Sequence, residues 1–157
     1  MKASTLNELK KELQTLPPEQ VIELCIRLGK YKKDNKELLT YLLFESIDEE
    51  AFITNVKAEI DAGFAEMNKS TLYFAKKSIR KILRFVTKYI RYSGSKQTAA
   101  ELLIYFCKTL KESGIPIEGS TAMVNLYHAQ IKKINTALED MHEDLQYDYR
   151  KMLEEIN

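Results

Sequence analysis

Residues 70–94 read STLYFAKKSIRKILRFVTKYIRYSG, and this stretch decides the fold class. It holds no proline, and its only glycine comes last. On a wheel of about 100° per residue, Leu72, Ala75, Ile79, Ile82, Leu83, Val86 and Ile90 gather on one side. Phe74, Phe85 and Tyr92 widen that apolar side. Lys77, Arg80, Arg84, Lys88 and Arg91 fall within about 80° of one another on the other, with Lys76 and Lys81 flanking. Such a period predicts an amphipathic helix from Ser70 to about Tyr92.

Upstream the same period recurs. Leu6, Leu9 and Leu13 share a face behind Thr5 and Glu8, which stand at capping-box spacing. Pro17-Pro18 ends that helix and opens a second, because proline fits a first turn and no later one. The second presents Val21, Leu24, Cys25 and Leu28, with Gly29 as its expected stop and a polar loop from Lys30 to Lys33. Asp34 and Glu37 open a third, whose residues 38–44 are apolar almost all round, the pattern of a buried bundle centre. Asp48 caps a fourth to about Met67, with Phe52 or Ile53, Val56, Ile60 and Phe64 inward and Gly63 weakening it or ending it early.

Downstream, Ser93-Gly94-Ser95 is a turn, and a sixth helix spans about Gln97 to Glu112 with Ala100, Leu103, Ile104, Cys107 and Leu110 inward. Residues 113–116, SGIP, close it. From Ser120 to about Glu155 there is neither proline nor glycine. Tyr127, Ile131, Ile134, Leu138, Met141 and Leu145 form a heptad seam, which continues to Tyr149, Met152 and Ile156 after a stutter at Leu145. A straight helix of that length is about 54 Å long, against roughly 40 Å for the diameter of a domain this size. It is expected to bend near Gln146, to overhang, or to meet a partner. The reading is all-α: about seven helices in one domain over residues 1–157, as a compact bundle or a short helix-hairpin array, with a long C-terminal helix over about 120–155.

Composition agrees. The chain of 157 residues, 45% hydrophobic and 30% charged, is ordinary for a globular domain, and five glycines and three prolines argue against disorder. Cys25 and Cys107 sit in apolar runs and read as free buried thiols. The start lacks the apolar core of a signal peptide, and no run reaches the ~18 apolar residues of a membrane span. A cytoplasmic location is expected.

The chemistry of common enzymes is missing from the motifs: no glycine-rich phosphate loop, no GxSxG, no CxxC and no HExxH. Glu139 and His142 make one Glu-x-x-His pair, where di-iron bundles use two, and they read as a solvated surface pair. No catalytic residue, cofactor or metal is expected. The unusual feature is charge. Residues 67–100 hold nine basic residues and no acid, and Lys77, Arg80, Lys81, Arg84, Lys88 and Arg91 form the candidate anion- or partner-binding face. Such a ridge can follow phosphates or an acidic surface, of a protein or a membrane. It can equally be neutralised inside the fold, since residues 34–66 hold nine acids to two bases and residues 118–157 eight to four.

The segment Thr5-Leu6-Asn7-Glu8-Leu9-Lys10-Lys11-Glu12-Leu13, followed by Val21-Ile22-Glu23-Leu24, Lys32-Lys33 and Lys36-Glu37-Leu38-Leu39, resembles the opening of an uncharacterised all-helical bacterial family. The resemblance implies a helical fold and a bacterial cytoplasmic setting. The first helix also resembles the start of a SAP-type DNA-binding motif, from which the Pro17-Pro18 break and the third helix depart. The expected role is a non-enzymatic protein-interaction module, self-associating through the last helix. The alternative is a nucleic-acid-binding protein using the basic face of residues 70–92.

Overall fold

Capping chemistry sets where most helices begin. In the computed structural model, which describes residues 1–156, Thr5 accepts the Glu8 N–H at 3.3 Å while the Glu8 carboxylate accepts the Thr5 N–H at 2.7 Å. This capping box opens α1 (Leu6–Thr15). Pro17 and Pro18 stand at N-cap and first position of α2 (Pro18–Tyr31). α3 (Lys33–Thr40) runs into a π-helical turn, Tyr41–Glu45. Asp48 accepts the Ala51 N–H at 3.0 Å and starts α4 (Glu49–Ala65). Thr71 caps α5 (Leu72–Ser93), Gly94 ends it at φ +68°, and Ser95 caps α6 (Lys96–Glu112). A 3-10 turn (Ile117–Gly119) leads into α7 (Thr121–Glu139), and α8 (Glu143–Glu154) follows. Among the described residues there is no strand.

Among the described residues the α-helices therefore number eight. The expected C-terminal helix over 120–155 is two, parted at Asp140–His142, a few residues before the expected bend. Asp and His are weak helix formers, and His142 turns extended and accepts the Asp144 N–H on Nδ1 at 3.3 Å. Gln146 donates to the Met141 carbonyl at 2.7 Å, satisfying an acceptor that the break frees. Glu143 and Asp144 complement the dipole of the new N-terminus. The seam is largely consumed within the chain: Tyr127, Ile131, Ile134 and Leu138 are buried, as are Tyr149, Leu153 and Ile156. Met152 is exposed, and Leu153 takes its place. The length argument for self-association through a straight C-terminal helix thus no longer applies.

The chain divides into two compact units, Met1–Phe44 and Glu45–Asn157. In the second, α6 is the central helix and packs against α4, α5, α7 and α8. Leu102, Phe106, Cys107 and Leu110 are wholly enclosed there. Gly63 does not end α4; a Cβ there would lie 2.9 Å from Ile82 Cγ1, so glycine lets α4 and α5 close up. In the first unit α2 packs on α3. Gly29 is not a helix stop either, since α2 continues to Tyr31; a Cβ there would lie 3.1 Å from Leu39 Cδ1. No side chain of α1, α2 or α3 is buried.

Residues 38–44 are not the buried centre that their composition predicts. Tyr41 alone is buried, and Leu42, Leu43 and Phe44 are exposed. The helix loosens into the π turn after Thr40, and a unit of 44 residues is too small to wrap a central helix.

Candidate interaction surfaces

Two surfaces stand out, one in each unit. The close approach of α2 and α3 leaves a groove of about 590 Å³ lined by apolar Ile26, Leu39, Leu43 and Phe44. Ile26 is 52% exposed and Phe44 69%. Lys30, Lys32, Lys33 and Lys36 also line this groove. Lys33 makes an ion pair with Glu37 at 3.5 Å, and Lys32 stands 5.8 Å from the Tyr31 ring centre. Both interactions are at the surface and weak, so the lysines remain available. Leu6, Leu9 and Leu13 of α1 are likewise uncovered.

The second surface is the predicted basic face. Lys77, Arg80, Lys81, Arg84 and Arg91 are exposed, and among the described residues none forms an ion pair. Lys88 is different: it is half-buried and engaged, its ammonium 5.6 Å from the Tyr89 ring centre. Buried Ala75, Ile79, Ile82 and Val86 fix the orientation of the helix, so the ridge faces outward.

Several of the acids expected to neutralise that ridge, and Glu101 of α6, have other partners. Glu59 accepts the Tyr89 hydroxyl at 3.2 Å and Asp61 the Tyr105 hydroxyl at 2.8 Å. Glu49 accepts the hydroxyls of Thr98, at 2.6 Å, and Ser93. Glu101 takes Lys57 at 2.6 Å and the Tyr149 hydroxyl at 3.2 Å. Asp140 meets Lys96, the first residue of α6, at 3.3 Å. Burial and the facing Asp61 push the Tyr105 hydroxyl up to about 12, which keeps it a donor.

The remaining chemical groups are structural. Both cysteines are free; Cys25 is half-buried, and burial pushes the enclosed Cys107 thiol up to about 12, where it is inert as a nucleophile. Tyr127 donates to the Ile156 carbonyl and ties α7 to the end of the chain, and its hydroxyl too is pushed by burial to about 12. Glu139 ends α7 and His142 lies beyond it, so the two do not share a helix face. Among the described residues no group of three or more His, Cys, Asp or Glu side chains could hold a metal ion, and no helix is long and apolar enough to cross a membrane.

The sequence reading located the ridge but not the groove. Its signal was present: five bases and one acid between Arg27 and Lys36, interleaved with apolar residues. The spacing predicts a polar loop at Lys30–Lys33 only, and a local pattern does not show that α2 and α3 close on one another. Comparison with family models, curated proteins and solved structures yields no match.

Proposed function

We propose that this chain is a non-enzymatic protein-interaction module whose N-terminal unit receives an amphipathic helix of a partner protein. The carrying observation is the α2–α3 groove, lined by four large apolar side chains and four lysines. A helix docks in such a groove through residues at i, i+3, i+4 and i+7. Its flanks should be acidic, because burying apolar surface beside lysines favours a partner that supplies their counter-charge. A second copy presenting the same groove would bring lysines against lysines, which disfavours the symmetric contact of a homodimer. Two free thiols, Cys25 and Cys107, support a reducing compartment, consistent with a bacterial cytoplasmic setting.

The test is fluorescence anisotropy with a labelled peptide of about four helical turns, carrying a leucine stripe flanked by glutamates. Binding is expected to weaken about tenfold at high salt and to vanish with Ile26→Asp or Leu43→Asp, while circular dichroism stays unchanged. Equal affinity for the same stripe flanked by lysines, or indifference to both substitutions, would overturn the reading.

A further inference from the structure

A residue outside the predicted basic face changes what that face can recognise. Tyr73 lies four positions before Lys77, and on the α5 wheel it falls within about 40° of Lys77, Arg80, Arg84 and Arg91. It is 67% exposed, and its ring is propped edge-on against Phe74 at 5.4 Å. The line from Tyr73 to Arg91 runs about 27 Å along the helix. It begins with an aromatic plate and continues with cations at steps of three, four and seven residues.

From this arrangement we propose that α5 binds single-stranded nucleic acid, with Tyr73 stacking on a base and Lys77, Arg80, Lys81, Arg84 and Arg91 following the phosphates. Exposed aromatics beside a tract of cations are how proteins hold unpaired strands without reading sequence. The ridge also carries a cost that nothing in the fold offsets. Lys77 with Lys81 and Arg80 with Arg84 are like-charge pairs at i, i+4, which disfavour the helix, and none of the four has an acidic partner among the described residues. A polyanion removes that repulsion.

Nucleic acid fits better than the other anionic surfaces. An amphipathic helix on a bilayer inserts its apolar side, but Ala75, Ile79, Ile82 and Val86 of α5 are buried in the protein. A protein partner needs an apolar interface centre, and between Lys77 and Arg91 the ridge offers cations and Thr87 but no large apolar side chain. The exposed aromatic favours a single strand over a duplex, whose bases are already stacked.

The experiment titrates the full chain into labelled oligothymidylate, the matching duplex, and vesicles of phosphatidylserine with phosphatidylcholine. With five phosphates contacted on a single strand, affinity should fall about a hundredfold between 50 and 200 mM salt. Changing Arg80, Arg84 and Arg91 together to alanine should flatten that dependence by more than half. Tyr73→Ala should lower affinity about tenfold at unchanged salt dependence, and Tyr73→Phe should restore it, since the ring and not the hydroxyl stacks. Salt-independent binding, tighter binding to duplex or vesicles, or an inert Tyr73→Ala would each overturn the proposal. All four positions are on the surface, so an unchanged helical spectrum separates lost binding from lost folding.

Discussion

The two units carry the same amphipathic code and use it differently. In the C-terminal unit, apolar stripes of α4, α5, α7 and α8 converge on α6, and Ile60, Ile79, Phe106 and Leu110 are wholly enclosed. In the N-terminal unit the stripes of α1, α2 and α3 converge on nothing sufficient, and Leu28 remains 60% exposed. The period of a helix states which face is apolar. It does not state whether enough chain is present to cover that face. An uncovered face lined with lysines is therefore a property of unit size as much as of sequence.

The contrast is broken or sharpened first in the core. Phe106→Ala should cost about 3–5 kcal/mol, measured by urea unfolding followed at 222 nm. Alkali should act next, again on the C-terminal unit. The Cys107 thiol is pushed to about 12 from an ordinary value of 9.0, and Tyr105 and Tyr127 to about 12 from 10.0. Between those limits the unfolded chain ionises and the native chain does not. Stability should thus be intact below about pH 9 and fall as pH rises toward 12, Cys107 alone contributing up to about 1.4 kcal/mol per pH unit. Cys107→Ala should flatten the start of that decline. The N-terminal unit responds at the opposite limb: the Thr5 N–H and hydroxyl hold the Glu8 carboxyl below its usual value, so that contribution is present above the usual carboxylate range and disappears on acidification.

Smaller effects separate the two interhelical glycines. Gly63→Ala should destabilise by about 1 kcal/mol, because the buried Ile82 side chain must move and overpacking outweighs the gain in helix propensity. Gly29→Ala should be neutral or stabilising by up to about 1 kcal/mol, because Leu39 is only half-buried and can yield. Leu43→Ala should change stability by less than about 0.5 kcal/mol while weakening peptide binding. A large loss of stability there would mean that the face is covered after all.

Much of the C-terminal unit was legible in the sequence. Phe52, Ile53, Val56, Ile60 and Phe64 of α4, and Ala100, Leu103, Ile104, Cys107 and Leu110 of α6, are buried as their spacing predicts. Capping residues Thr5 and Asp48 also mark true starts, whereas Lys32 and not Asp34 stands at the N-cap of α3. The break at Asp140–His142 was harder to see, because no proline or glycine marks it and the heptad runs through it. The misreadings of residues 38–44 and of Gly29 share a cause: both depend on what lies across the interface, which a local pattern does not contain. The ridge was legible as a stripe, but not that Lys77, Arg80, Lys81, Arg84 and Arg91 form no ion pair among the described residues while Lys88 is engaged. A one-dimensional pattern does not show that Glu59, Asp61 and Glu49 accept the hydroxyls of Tyr89, Tyr105, Ser93 and Thr98.

Amide hydrogen exchange resolved along the chain tests the central contrast most directly. Amides of α2 and α3 should exchange about a hundredfold or more faster than those of α6, the former opening locally and the latter only with global unfolding. Adding the glutamate-flanked peptide should slow α2 and α3 and leave α6 unchanged. Equal protection of α2 and α6 in the free chain, or peptide-induced protection confined to α6, would contradict the account.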